Sequence, residues 1–197
     1  MVKKETRWAM VIDTGRCIGC QSCAVACKRE NKVPLGVFRT WVKTVEKGRF
    51  PDVSRGHLPI NCNQCEEPVC VSVCPVKATY QREDGIVLVD PHRCIGCRYC
   101  KAACPYEVRY LDPQKHMIAK CYFCHHRLDA GQLPACVEAC PTNARIFGDR
   151  NDPNSTVSRL IATSPVQVLL PEHGTCPQVF YQNLDEEIVK KRGRRSS

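Results

Sequence analysis

Short apolar segments, separated by polar turns and prolines, recur along the whole chain. WAMVID at residues 8–13 and TWVKTVE at 40–46 predict strands, and ATYQREDGIVLV predicts a strand, an Asp84-Gly85 turn and a second strand. Further on, DPNSTVSRLIATS predicts a short helix with a capping Asn or Ser, while VQVLL and QVFYQ predict strands. Many short elements of both kinds indicate the α+β fold class.

No apolar segment is long enough to span a membrane, because even VQVLLP at 166–171 falls far short of about 20 residues. The start, MVKKETRWAMVID, has two lysines and no apolar region of the length that a secretory signal contains. We therefore expect a chain without a transmembrane segment of its own, made in a reducing compartment where thiols stay free.

Cysteine dominates the composition, with 17 residues in a chain of 197. Sixteen of them form four motifs, and Cys176 stands apart. The motifs are Cys17, Cys20, Cys23 and Cys27; Cys62, Cys65, Cys70 and Cys74; Cys94, Cys97, Cys100 and Cys104; and Cys121, Cys124, Cys136 and Cys140. A buried, inert thiol is the expected state of Cys176.

Each motif has a CxxC pair, then a third cysteine, and a fourth after three intervening residues. This spacing is typical of 4Fe-4S ferredoxins, in which three thiolates of one motif bind one cluster and the fourth binds the cluster of a partner motif. We expect the fourth cysteine to begin or lie on a short helix. Pro75, Pro105 and Pro141 follow it in three motifs, and Lys28 takes that place in the first.

Zinc is the main alternative metal, because isolated CxxC pairs often bind it. Four motifs of this spacing are difficult to attribute to zinc. His125 and His126 follow Cys124 directly, but sixteen thiols already suffice for four centres, so we interpret these histidines as polar neighbours.

Lys and Arg exceed Asp and Glu by 9, a balance that also occurs in nucleic-acid-binding proteins. Four thiolate-bound clusters at about −2 each would contribute about −8 and reduce the net charge to roughly +1. The basic residues are then counter-charges for buried anions, and nucleic acid is not an expected partner.

The hairpin between the second and third motifs matches the plan of a bacterial two-cluster ferredoxin over about residues 58–108. The first and fourth motifs then pair with each other around it. Sequential pairing, first with second and third with fourth, is equally compatible with the spacing.

The four-motif order, the CP endings, and the segments ARIFGDRNDPNS and LLPEHGTCPQVFY resemble a known family. They are similar to the electron-transfer iron–sulfur subunits of membrane-associated molybdenum or tungsten oxidoreductases, of the polysulfide, thiosulfate, tetrathionate and dimethyl sulfoxide reductase type. The resemblance covers almost the whole chain.

The resemblance implies four 4Fe-4S clusters and nested motif pairing. The implied ligand sets are Cys17, Cys20, Cys23 and Cys140 (cluster 1); Cys94, Cys97, Cys100 and Cys74 (cluster 2); Cys62, Cys65, Cys70 and Cys104 (cluster 3); and Cys121, Cys124, Cys136 and Cys27 (cluster 4). Residues 1–57 with 109–145 form one ferredoxin-like unit, 58–108 an inserted second one, and 146–197 a C-terminal extension for partner contact that ends in a basic tail.

The resemblance also implies two partners, a catalytic subunit with a molybdopterin cofactor (bis-MGD) and an integral membrane subunit that exchanges electrons with quinone. Cluster 1 faces the catalytic subunit and cluster 4 the membrane subunit. The complex lies at the membrane, on the periplasmic face by co-export with a twin-arginine partner; the sequence leaves the cytoplasmic face open.

A protein of this kind needs no catalytic residue, because it sets only the position and potential of its clusters. Basic residues near the ligands, Lys28, Arg98, Lys101 and Lys120, are candidates for tuning those potentials, and backbone N–H groups near Gly19 and Gly96 are candidate donors to sulfur. The alternative function is that of a soluble polyferredoxin, or of a carrier linked to a hydrogenase or formate dehydrogenase. The extension from Ala144 onward favours a docked subunit.

Overall fold

The computed structural model describes residues 6–190, apart from the side chain of Lys190. The strands are β1 Trp8–Asp13, β2 Thr40–Arg49, β3 Asp52–Asn61, β4 Thr79–Gln81, β5 Val87–Val89, β6 Tyr110–Leu111, β7 Ile118–Ala119, β8 Arg145–Asp149 and β9 Val179–Gln182. The helices are α1 Ser22–Glu30, α2 Val69–Ser72, α3 Tyr99–Ala102, α4 His125–Leu128, α5 Ala135–Glu138, α6 Thr156–Thr163 and α7 Glu186–Lys190, with a short 3₁₀ turn at Pro171–His173. This mixture confirms the α+β class, and the predicted basic tail from residue 191 onward lies outside the described residues.

A three-stranded sheet of order β8-β1-β9 holds the first and last parts of the chain together. The predicted WAMVID strand is confirmed as β1, which lies in the centre, antiparallel to β8 and parallel to β9. Met10 is opposite both Phe147 and Val179. The strand predicted in QVFYQ is thereby confirmed as β9. The segment after residue 146 contributes two elements to the core: strand β9, which pairs with β1, and helix α6, which packs against β1 and β8. The partner-contact role of this extension stays a prediction.

Helix α6 confirms the predicted helix, and Ser155 occupies its N-cap position. The Ser155 side chain makes no capping hydrogen bond, so the helix is fixed mainly by burial of Val157 against Ala9 and Val11 of β1. The strand predicted for VQVLL is wrong. That segment contributes one isolated bridge, from Gln167 to Tyr181, before the 3₁₀ turn.

The long hairpin β2–β3 extends the strand predicted at 40–46 and adds a partner that sequence patterns do not indicate. Thr40 pairs with Asn61 at one end and Arg49 with Asp52 at the other. Gly56 and Pro59 interrupt the β3 sequence, but its pairing with β2 over the full length keeps it extended.

The hairpin predicted around Asp84-Gly85 is confirmed as β4–β5, with Gly85 at φ +85° in the turn. Buried side chains from residues 58–108 and from the segments on either side belong to one core, in which Ile86 and Val108 pack with Met10, Phe123 and Tyr181. The hairpin therefore fixes the second and third cysteine motifs against the rest of the protein.

Candidate iron–sulfur sites

All seventeen cysteines lie in the described residues, and all are free thiols. The third cysteine of every motif lies on a short helix: Cys23 on α1, Cys70 on α2, Cys100 on α3 and Cys136 on α5. Of the fourth cysteines, only Cys27 lies on a helix, so this expectation is wrong for the other three. They follow their helices by two residues because the proline after each one favours an extended or turn conformation.

One small cavity is lined by four thiols, Cys62, Cys65, Cys70 and Cys104. Its other walls contain apolar side chains, such as Val87 and Val108, together with the polar side chains of Asn63, Arg109 and Thr175. Burial, reinforced by the charge of Cys62, raises the pKa of Cys65 to about 12. Four acidic groups held together out of water need a cation between them to ionise, which is what iron supplies.

A second cavity is lined by Cys27, Cys121, Cys124 and Cys136. Burial, together with the charges of Cys136 and Cys124, raises the pKa of Cys27 to about 12. The Asn31 amide nitrogen lies 3.6 Å from the sulfur of Cys27 and 3.7 Å from that of Cys124. All four thiols are buried, with at most 8% of each residue exposed. A set this deep does not favour the expectation that it faces the membrane subunit.

A third group joins the first motif to the end of the fourth. Burial raises the pKa of Cys17, although a hydrogen bond from the Gly19 backbone lowers it in part. The charges of the neighbouring Cys23 and Cys140 also raise the pKa of Cys17. Cys20 is exposed. Hydrogen bonds from Ser22 lower the pKa of Cys20, whose charge also interacts with that of Cys140.

The remaining four thiols belong to neighbouring elements. Helix α2, which ends two residues before Cys74, contacts helix α3, which carries Cys100. The backbone N–H of Ile118 donates to the sulfur of Cys94 at 3.5 Å. Cys97 is exposed, so this group reaches the surface as the Cys17 group does.

The donor geometry fits a cluster better than a single ion. A zinc site holds every thiolate about 2.3 Å from one point, and among residues 6–190 no three His, Cys, Asp or Glu side chains are arranged to bind one ion. A 4Fe-4S cube instead places each thiolate at its own corner. Backbone N–H groups donate to sulfur at Cys74 (from Ala78, 3.2 Å), Cys121 (from Phe123, 3.4 Å) and Cys140 (from Ala144, 3.3 Å). Such bonds stabilise charge on cluster-bound sulfur.

The four predicted tuning residues have different environments. Lys28 donates to the carbonyls of Pro34 and Val37 at 2.8 and 2.7 Å and lies over the Phe38 ring, so it holds the following loop. Arg98 and Lys101 are exposed. Lys120 alone is fully buried, with hydrogen bonds to oxygens of Val87, Gln64 and Cys121.

Sequence reasoning missed two buried arginines beside the thiols. Arg109 donates to the sulfur of Cys70 at 2.8 Å, and Arg145 lies 4.0 Å from that of Cys136. Both stand five residues after the fourth cysteine of their motif, Cys104 and Cys140. That repeated offset is the signal that could have found them.

The expectation for Cys176 is wrong, because its thiol is exposed and lies outside every group described above. The histidines after Cys124 contact carboxylates, and their interpretation as polar neighbours stays a prediction. His126 contacts the Glu30 carboxylate at 2.7 Å, and His125 lies beside Asp129.

No helix within residues 6–190 is long and apolar enough to cross a membrane. This agrees with the sequence, in which the apolar segments are short.

Comparison with known proteins agrees with the site geometry. Residues 53–150 match the model of a 4Fe-4S dicluster domain, and residues 8–29 match that of a 4Fe-4S binding domain. The chain is 51% identical to the B subunit of tetrathionate reductase from Salmonella typhimurium, over 93% of this chain and 75% of the relative. It is 45% identical to the B component of polysulfide reductase from Wolinella succinogenes (88% and 93%), and 44% identical to the iron–sulfur B component of a putative dimethyl sulfoxide reductase from Halobacterium salinarum (90% and 79%). The chain therefore carries multiple 4Fe-4S clusters and belongs to the family of iron–sulfur electron-transfer subunits of molybdopterin oxidoreductases.

Proposed function

We propose that this chain relays single electrons between a quinone-linked membrane subunit and a molybdopterin catalytic subunit of the polysulfide, thiosulfate, tetrathionate or dimethyl sulfoxide reductase type. The observation that carries the proposal is the pair of cavities that are each lined by four thiols. The other two cysteine groups reach the surface at Cys20 and Cys97. The names of the relatives, which are components of such reductases, support the same assignment.

The proposed ligands are the four nested sets given above, which make four clusters in all. The two cavities support this pairing, since each contains the fourth cysteine of a different motif from its other three thiols: Cys104 with the second motif and Cys27 with the fourth. Sequential pairing would place Cys27 with Cys62 instead. The same nesting gives the proposed units, 1–57 with 109–145 around 58–108.

The neighbouring thiols suggest the order of the relay. Cys23 of cluster 1 interacts electrostatically with Cys136 of cluster 4, and Cys121 of cluster 4 with Cys62 of cluster 3. Arg109 interacts with Cys70 of cluster 3 and with Cys100 of cluster 2. The order is therefore 1–4–3–2, with the exposed Cys20 and Cys97 at its two ends. We propose that cluster 1 meets one partner and that cluster 2, rather than cluster 4, meets the other.

Bound clusters supply reversible one-electron transfer. The protein's own residues hold the thiolates in place, donate backbone N–H bonds to their sulfurs, and exclude water with apolar side chains such as Val87 and Val108. None of these roles requires acid–base or nucleophilic chemistry. The direction of electron flow and the terminal substrate then depend on the partners.

A subunit of this kind works at the membrane through its partner. We propose that the complex is peripheral to the membrane and lies on the periplasmic face after co-export with a twin-arginine partner. Protease protection of the tagged protein in intact spheroplasts tests this: degradation only after detergent treatment would place it on the cytoplasmic face.

Anaerobic purification of the native complex through a tag on this protein tests the function. We expect a large molybdopterin protein and an integral membrane protein to co-purify, with about sixteen irons for each copy of the chain if four 4Fe-4S clusters are bound. Recovery of an iron-loaded monomer would support a polyferredoxin instead. Zinc in place of iron would contradict the proposal outright.

A further inference from the structure

Three basic side chains are removed from water in the interior of this small protein. Arg109, Lys120 and Arg145 are 1%, 0% and 3% exposed. The carboxylate ion pairs found among residues 6–190 all involve other basic residues. A buried cation without an anionic neighbour is strongly destabilising, so each of the three needs a negative charge close by.

Arginine keeps its positive charge in proteins, and the hydrogen bonds of Lys120 fit its ammonium form. Arg145 donates to the Asn61 side chain at 3.0 Å and to the Thr40 hydroxyl at 2.9 Å. The Lys120 nitrogen is surrounded by three acceptors, the carbonyls of Val87 and Cys121 and the side-chain oxygen of Gln64. Donation to three acceptors uses the three N–H groups that only the ammonium form has.

Arg109 and Arg145 each interact with two neighbouring cysteine sets. Arg145 lies 4.0 Å from the sulfur of Cys136 in the cluster 4 set, and it directly follows Ala144, whose backbone N–H donates to Cys140 of the cluster 1 set. Arg109 donates at 2.8 Å to the sulfur of Cys70 in the cluster 3 set, on helix α2. Helix α2 contacts helix α3, which carries Cys100 of the cluster 2 set.

Lys120 has the equivalent position between the cluster 3 and cluster 4 sets. Its nitrogen donates to the carbonyl of Cys121 in the cluster 4 set and to the side chain of Gln64, which lies between Cys62 and Cys65 of the cluster 3 set. Every interval of the order 1–4–3–2 thus contains one buried basic side chain.

We propose that Arg145, Lys120 and Arg109 are positioning residues for electron transfer, one in each interval of the relay, whose fixed positive charge raises the reduction potential of the two centres that flank it. The inference rests on the proposed ligand sets and relay order. One electron leaves the cysteine-bound centre on one side of each cation and enters the centre on the other side, and no proton or covalent bond is transferred. A positive charge between them stabilises the electron on either side.

A purely structural role is the competing explanation, because the same side chains join elements by hydrogen bonds. Arg145 connects β8 to β2 through Thr40 and to β3 through Asn61. Replacement by glutamine keeps polar atoms at the site and removes the charge, whereas replacement by lysine keeps the charge. If the role is structural, the glutamine and lysine variants should differ in how well the protein assembles. If the role is electrostatic, they should differ in the reduction potentials of the flanking clusters.

The test is an EPR-monitored redox titration of the intact complex, anaerobically purified, with iron content measured on the same samples. Arg145→Gln is expected to keep the full iron content and to shift the midpoint potentials of clusters 1 and 4 downward, while clusters 3 and 2 stay unchanged. Arg145→Lys is expected to leave all potentials close to those of the unsubstituted complex. Arg55→Gln, which removes the same charge from an exposed ion pair with Glu46, is the control and should shift none.

Two further variants extend the test. Arg109→Gln is expected to lower the midpoint potentials of clusters 3 and 2, and Lys120→Gln those of clusters 4 and 3. Full iron content with unshifted potentials in the glutamine variants would overturn the inference. If Arg145→Gln does not assemble, the other two variants decide. Failure of the proposed function is distinguishable, since the unsubstituted complex would then lack four cluster signals or its oxidoreductase partners.

Discussion

The side-chain amide of Gln64 donates a 2.8 Å hydrogen bond to the main-chain carbonyl of Cys121. Its oxygen accepts from the backbone N–H of Val87 at 2.9 Å and from Lys120 at 3.4 Å. Gln64 is 1% exposed and lies inside the second cysteine motif. It therefore connects the second motif and strand β5 to the fourth motif, between the two cavities lined by thiols.

Substitution Gln64→Leu tests this connection. It keeps most of the volume but leaves the buried Val87 N–H without its acceptor, at a cost of about 1–3 kcal/mol for an unsatisfied buried group. It also removes one of the three acceptors of Lys120, whereas the Cys121 carbonyl keeps its hydrogen bond from Lys120. We expect a lower melting temperature of the purified complex, measured by circular dichroism. Gln132→Leu, at an exposed position, is the matched control and should melt within a degree or two of the parent. Equal melting of both variants would argue against the connection.

The nested pairing predicts which cysteines share a cluster. Cys27→Ser and Cys124→Ser should alter the same EPR signal, although the two residues lie in different motifs, because both line one cavity. Cys65→Ser should alter a different signal, shared with Cys104→Ser. If Cys27→Ser instead altered the signal of Cys65→Ser, the sequential pairing would be correct.

Gly96 in the third motif is predicted to be irreplaceable. Its φ is +68°, and an added Cβ would lie 2.5 Å from the backbone oxygen of His116, which has no freedom to move as a side chain would. Gly96→Ala should therefore lose the signal of cluster 2 and lower the iron content. Gly36→Ala is the control: its φ of +78° gives similar strain, but nothing lies within 4 Å of the new atom. The Gly36→Ala variant should keep all four cluster signals. If both variants lost iron, the loss would be due to backbone strain and not to the contact with His116.

Cys176 gives a direct count of the liganded thiols. It is exposed and separate from the four sets, so brief alkylation of the iron-loaded complex should modify one cysteine of this protein, identified by peptide mass spectrometry as Cys176. After the iron is chelated under denaturing conditions, all 17 cysteines should react. Rapid modification of further cysteines in the loaded complex would mean that some of the sixteen do not bind iron. The Cys176→Ser variant should show no modification before chelation.

Removal of iron should unfold much of the interior. Cys27, Cys121, Cys124 and Cys136 are buried side by side, and the helices that carry the third cysteines, apart from α1 and its 9 residues, have only 4 residues each. Helices this short are unstable without tertiary contacts, and metal binding at such sites contributes folding free energy. We expect chelation to abolish the cooperative thermal transition. A chelated protein that melts as sharply as the loaded one would contradict this.

Local signals carried most of the sequence-based predictions. The β4–β5 hairpin follows from the Asp84-Gly85 turn between apolar runs, and β1 from its own six residues. Strand β3 could not be predicted, because Gly56 and Pro59 break its pattern and only pairing with β2 makes it a strand. VQVLL has a strand-like composition, but its partner Tyr181 contacts it at one residue. Which strands pair is decided by contacts far apart in the sequence.

The cysteine motifs could be read from spacing, whereas their surroundings could not. Arginine is usually exposed, so the burial of Arg109 and Arg145 is visible only when the motifs are folded against one another. Lys28 directly follows Cys27 in the sequence, but its side chain donates to the carbonyls of Pro34 and Val37 and not to a thiol. The assignment of ligand sets stays a prediction.

Strand β1 has a neighbour on each side, β8 and β9, and β9 ends only at Gln182. During translation, strand β1, which precedes the first cysteine motif, therefore cannot complete its sheet until residue 182 has left the ribosome. Cys140 likewise emerges long after Cys17. The thiols of the first motif are thus unprotected until these later segments emerge, and we expect the proposed cluster 1 to mature only after Cys140 and β9 have been synthesised.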